Sequence, residues 1–133
     1  MSTRCQVQVI QEGLDWEEKV TLYHHTDGYP EYMIPTIKKA YDYDCETWVK
    51  GRAGKVASIL CWADPAVFEP EEGHDLHGDI EYYYRLYLRN TNGGTLAEEA
   101  TWELDVYEVD DESDYSKPLT IDNFKKINDR IPI

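Results

Sequence analysis

Apolar and polar positions alternate from the start of the chain. Cys5, Val7 and Val9 occupy every second position, with Gln6, Gln8 and Ile10 between them. A period of two sends the two sets to opposite faces of a strand. Glu12-Gly13 supplies a turn, after which Val20 and Leu22 alternate with Thr21 and Tyr23, so a first β-hairpin is expected. The strongest alternation runs from Asp79 to Arg89. There Ile80, Tyr82, Tyr84, Leu86 and Leu88 share one face, and Asp79, Glu81, Tyr83, Arg85, Tyr87 and Arg89 share the other. Asn90-Thr91-Asn92-Gly93-Gly94 turns the chain into a returning strand, where Trp102, Leu104 and Val106 alternate with Glu103, Asp105 and Tyr107. These residues form a second hairpin.

Between the hairpins the period lengthens. After Asp27-Gly28-Tyr29-Pro30, the spacing of Ile34, Ile37 and Tyr41 predicts a short amphipathic helix ending near Asp44. Pro35 is expected in its first turn, where a missing N–H costs nothing. Cys45, Val49, Ala53, Val56, Leu60 and Ala63 form a second apolar stripe and predict a second helix, stopped by Asp64-Pro65. An interior glycine costs about 1 kcal/mol relative to alanine, so Gly51 and Gly54 predict that this helix is split or begins only after Gly54. Phe68 to Gly78 reads as a connecting loop. An acidic stretch, 110–118, is expected to be flexible, and Leu119, Ile121, Phe124 and Ile127 predict a short helix in the C-terminal tail, 119–133. The expected fold is α+β: an antiparallel sheet of about four strands, built from two hairpins, with two to three helices packed on one face.

Composition narrows the function classes. At 133 residues, 41% of them hydrophobic and 13% aromatic, a single domain spanning 1–133 with one core is expected and global disorder is excluded. The chain carries 27 acidic against 13 basic residues, a net charge of −14. Affinity for a phosphate backbone comes from Lys and Arg, so direct nucleic-acid binding is not expected. Cys5, Cys45 and Cys61 lack the paired spacing of a zinc site and are too few for a disulfide scaffold. With no run long enough for a signal peptide core or a membrane span, a cytoplasmic protein without a membrane partner is expected.

Candidate chemistry is sparse. His24, His25 and Asp27 fall in one turn, and His74, Asp75, His77 and Asp79 in another. A metal held by His25, Asp27, His77 and Asp79 is the weaker reading, because no helical His-x-x-x-His pair fixes two ligands on one face. The stronger reading makes Asp27-Gly28-Tyr29-Pro30 a helix-entry turn, with Asp27 bonding backbone N–H groups and Gly28 at positive φ. Pairing Cys5 or Cys61 with His24 or His25 lacks the spacing of a nucleophile motif, and Gly51-Arg52-Ala53-Gly54-Lys55 lacks that of a phosphate loop. No catalytic residue, cofactor or metal is assigned. The 11 tyrosines exceed what a core needs. Tyr82 and Tyr84 belong on the core face, whereas Tyr83 and Tyr87, beside Arg85 and Arg89, suit a planar ligand or a partner, a covering helix or a second copy of the chain in a homodimer.

Four segments carry a resemblance: Thr3-Arg4-Cys5, Leu22-Tyr23-His24-His25-Thr26-Asp27-Gly28-Tyr29-Pro30-Glu31, Pro35-Thr36-Ile37-Lys38-Lys39 and His77-Gly78-Asp79-Ile80-Glu81-Tyr82. Together they resemble a family of small proteins met in phage, prophage and archaeal mobile elements, over most of residues 3 to 88. The family motif usually reads Tyr-Arg-His-Ser/Trp-Asp-Gly-Tyr-Pro-Glu, so His25 stands at its histidine and His24 replaces its arginine. The family has no assigned activity, and the acidic stretch after Val106 lies beyond its pattern. The resemblance implies a mobile-element origin rather than a chemistry.

Charge and origin together set the functional expectation. A small acidic phage or mobile-element protein would inhibit a host defence component by presenting a negative surface to a basic nucleic-acid-binding groove. Its partner would be a basic host protein or nucleic-acid-handling complex in the host cytoplasm. The partner-binding residues would be Glu98, Glu99, Asp110, Asp111, Glu112 and Asp114. The alternative is a pocket protein that sequesters or hydrolyses a nucleotide-like signalling molecule through His24, His25, Asp27, Tyr83, Arg85 and Tyr87.

Overall fold

The computed structural model describes residues 3–12, 18–45, 52–65, 67–90, 100–110 and 119–133. Their order is β1 (Cys5–Glu12), β2 (Glu18–His24), α1 (Pro30–Cys45), α2 (Ala53–Ala63), β3 (Phe68–Pro70), β4 (Tyr82–Asn90), β5 (Ala100–Val109), β6 (Phe124–Lys126) and β7 (Ile131–Pro132), with a 3-10 turn, Ile121–Asn123, before β6. Both expected hairpins form, β1 with β2 and β4 with β5. The expected four-stranded antiparallel sheet is overturned, however. The sheet has seven strands in the order β3-β2-β1-β4-β5-β6, with β7 also on β5, and β1 runs parallel to β4 from Cys5↔Tyr82 to Glu12↔Arg89. A period of two says which residues share a face but not how one hairpin is laid against the next. The excursion through β2, both helices and β3 returns the chain to the end of the sheet where β1 began, so β4 enters beside β1 in the same direction.

Both helices pack on one face. Cys5, Val7, Val9, Leu22, Tyr84, Leu86, Leu88, Trp102, Leu104 and Val106 meet Met33, Ile37 and Ala40 of α1 and Ala53, Val56, Ala57, Ile59 and Leu60 of α2 in the main core. Trp102 is 1% exposed, so an aromatic side chain fills the space under Tyr41, whose ring lies 5.2 Å away. Pro30 is the first residue of α1, where proline fits, and the Tyr29 carbonyl accepts from Tyr32 and Met33. Pro35 therefore lies a turn deeper than expected and forgoes the bond an N–H there would give to Glu31. Helix α2 begins at Ala53, ahead of Gly54 rather than after it. Buried Gln11 accepts from the Ala53 N–H at 3.1 Å, which satisfies one of the free donors of that helix start.

The tail corrects a further expectation. Leu119 to Ile127 does not form a third helix: the short turn at Ile121–Asn123 is followed by β6 and β7, both on the free side of β5. Apolar spacing over so short a stretch suits either structure, and the open edge of β5 supplies backbone partners that an isolated turn of helix lacks. No helix among the described residues is long and apolar enough to cross a membrane.

Candidate functional site

The sheet face away from the helices is built mainly of polar residues. Strand register sets them in rows: Tyr23, Gln6, Tyr83 and Tyr107; then Thr21, Gln8, Arg85 and Asp105; then Lys19, Ile10, Tyr87 and Glu103. Leu76, Ile80, Leu119 and Phe124 close over the first row as a second, smaller core that buries Tyr83. Gln6 fastens that cover, its side chain donating to the Asp75 carbonyl at 3.1 Å and accepting from the His77 N–H at 2.8 Å.

A chain of hydrogen bonds leads from this cover across the second row. Thr21 Oγ1 lies 2.8 Å from His74 Nδ1, Gln8 donates to Thr21 at 3.4 Å, and Tyr83 donates its hydroxyl proton to Gln8 at 2.9 Å. Arg85 Nε donates to the Tyr83 oxygen at 3.0 Å, with the guanidinium 5.5 and 5.9 Å from the Tyr83 and Tyr107 rings. Burial pushes the Tyr83 phenol up, against the lowering effect of Arg85. It therefore remains a neutral hydroxyl.

Asp105 stands opposite Arg85 on the neighbouring strand, yet its carboxylate is held elsewhere. Arg130 donates to both of its oxygens, at 3.1 and 3.0 Å, and Lys126 lies 3.4 Å away. Burial alone would raise the Asp105 carboxyl, but the bonds and charge of Arg130, with the charge of Lys126, hold it below the ordinary aspartate value. Arg130 also covers the Tyr87 ring at 4.2 Å and reaches Glu103, which Arg89 shares with Glu12. Sequence reasoning found Tyr83, Arg85 and Tyr87 on this face but missed Asp105 and Arg130. Asp105 was available from the alternation of β5; nothing in the sequence places the tail residue Arg130.

The other sequence candidates lie apart. His24 points to the helix side, fully buried. Its Nε2 donates to Asp64 at 2.9 Å, Tyr32 donates to the same oxygen at 2.8 Å, and Nδ1 has no hydrogen-bond partner among the described residues. This cluster ties β2 to α1 and to the end of α2. His25 and His77 flank the Tyr23 ring at 4.7 and 4.9 Å, and pair with Glu69 and Glu71 respectively. Asp79 accepts from Tyr23 and lies 3.6 Å from Arg4. The structure thus brings His25, His77 and Asp79 around Tyr23 and leaves Asp27 in its own turn. Among the described residues no three His, Cys, Asp or Glu side chains are placed to hold a metal ion.

The turn at Asp27 also departs from expectation. Asp27, not Gly28, takes the left-handed conformation, at φ 55. Glycine is needed next to it for close approach: a Cβ on Gly28 would lie 2.8 Å from Cys5 Cβ and 2.9 Å from the Cys5 nitrogen. The Gly28 N–H donates to Thr3, and its carbonyl accepts from Tyr84 at 2.7 Å. Burial pushes the Cys5 and Cys61 thiols up, which makes both poor nucleophiles at neutral pH.

Of the acidic candidates, Asp110 is exposed just past β5, while Glu98, Glu99, Asp111, Glu112 and Asp114 lie outside the described residues. No family model, curated protein or solved structure matches this chain.

Proposed function

We propose that this chain acts by binding rather than by catalysis, and that its negative surface engages a basic partner. One observation carries the reading: at least six of the 13 basic residues are engaged within the fold, while 27 acidic residues leave a large surplus of negative charge. Arg4, Lys55, Arg89, Lys126 and Arg130 are each ion-paired, and Arg85 lies against tyrosine rings. With a net charge of −14, the remaining carboxylates project a field that attracts basic surfaces and repels nucleic acid. Exposed Glu69 on β3, with exposed Glu72 and Asp75 in the segment that follows it, adds to this surplus. The mobile-element resemblance supplies the setting: an inhibitor that occupies the nucleic-acid groove of a host defence protein.

The test is a pull-down from host lysate followed by binding across a salt series. The Debye length falls from about 10 Å at 0.1 M to about 3 Å at 1 M, so capture should weaken steeply over that range. Competing nucleic acid should release the partner, and replacing Asp110, Asp111, Glu112 and Asp114 with their amides should mimic high salt. A partner retained equally at all salt concentrations, and by the amide variant, would exclude the mechanism.

A further inference from the structure

We propose that the helix-free face of the sheet holds a binding site for a small oxyanion, a carboxylate or a phosphate group, received by Arg85. The inference rests on residues other than the acidic surface. Arg85 is half-buried, and every partner it has among the described residues is a tyrosine rather than a carboxylate: the hydroxyls of Tyr83 and Tyr87 and the rings of Tyr83 and Tyr107. The one carboxylate directly opposite it, Asp105, is taken by Arg130 and Lys126. A guanidinium drawn out of water without an anion has a standing deficit, and its planar fork matches the two oxygens of a carboxylate or phosphate.

The surroundings reinforce the deficit. Glu12, Glu103 and Asp105, the carboxylates around it on this face, are engaged by Arg89, Lys126 and Arg130, and none of them pairs with Arg85. Half-buried Tyr87 and Tyr107 border the site and offer aromatic edges to a planar ligand. Because the wider field repels polyanions, a singly charged ligand is expected to bind ahead of a nucleotide.

The experiment follows the Arg85 Nε–H resonance by NMR, in phosphate-free buffer, during separate titrations with benzoate, inorganic phosphate and AMP. A saturable shift with benzoate assigns a carboxylate ligand; one with phosphate or AMP assigns a phosphate group. Arg85→Lys keeps the charge but loses the fork, and should weaken binding about tenfold or more, the equivalent of one charge-assisted hydrogen bond. Arg85→Gln should abolish binding while leaving the melting temperature unchanged or higher, because it removes an uncompensated cation. No shift with any of the three probes, or binding undiminished in Arg85→Gln, would overturn the proposal. So would a marked loss of melting temperature in Arg85→Gln, which would make the arginine a packing element. Failure here leaves the acidic-surface reading standing, since the salt series and amide variants do not involve Arg85.

Discussion

At the scale of single residues, the Asp27-Gly28 turn shows two neighbouring positions constrained for different reasons. Asp27 carries the positive φ, which a short polar side chain tolerates. Gly28 has no room for a side chain against Cys5 and the backbone that leads into it. Gly28→Ala is therefore expected to destabilise by about 1–3 kcal/mol, the usual cost of forcing atoms into a packed site, and Asp27→Gly to be nearly neutral. Urea unfolding of the two variants checks this, and the reverse order would place the constraint on the wrong residue. His24 makes a related point. A histidine beside a motif histidine invites a chemical reading, yet its full burial against Asp64, Tyr32 and the Phe68 ring makes it a tie between elements.

At the scale of elements, the C-terminal segment is held to β5 by more than its short strands. β6 and β7 pair with Tyr107–Val109 and Glu103–Leu104, and Arg130, between them, locks onto Asp105. The Asp105 carboxyl is lower in the fold than in the unfolded chain, so the unfolded state binds more protons near and below the ordinary value of 3.8. The latch therefore contributes its full stability above that pH and loses it as pH falls through the depressed folded value. Asp105→Asn should lower stability by about 1–3 kcal/mol at neutral pH, and lose less on acidification than the parent. Melting curves from pH 7 down to pH 2.5 would show it. Parallel profiles would mean that the carboxylate contributes nothing through its charge.

At the scale of the whole molecule, the net charge of −14 acts on the fold as well as on partners. Self-repulsion opposes a compact acidic chain, and salt screens it. Raising salt from about 0.01 M to about 0.15 M shortens the Debye length from about 30 Å to about 8 Å, and should raise the melting temperature, even as it weakens a basic partner's grip. A melting temperature that falls with salt would mean that the internal ion pairs outweigh the surplus. Taken alone, the sequence determined the two hairpins, the two helices and the face that each residue of β4 takes, because those follow from local periodicity and turn residues. It also placed Tyr83, Arg85 and Tyr87 together, since alternate positions of one strand must share a face. Only the tertiary structure decided that β1 lies parallel to β4, that the tail becomes edge strands, and that Arg130 takes the carboxylate opposite Arg85. Those outcomes depend on which surfaces meet after collapse, a competition among distant segments for backbone partners and counter-charges that no local pattern encodes.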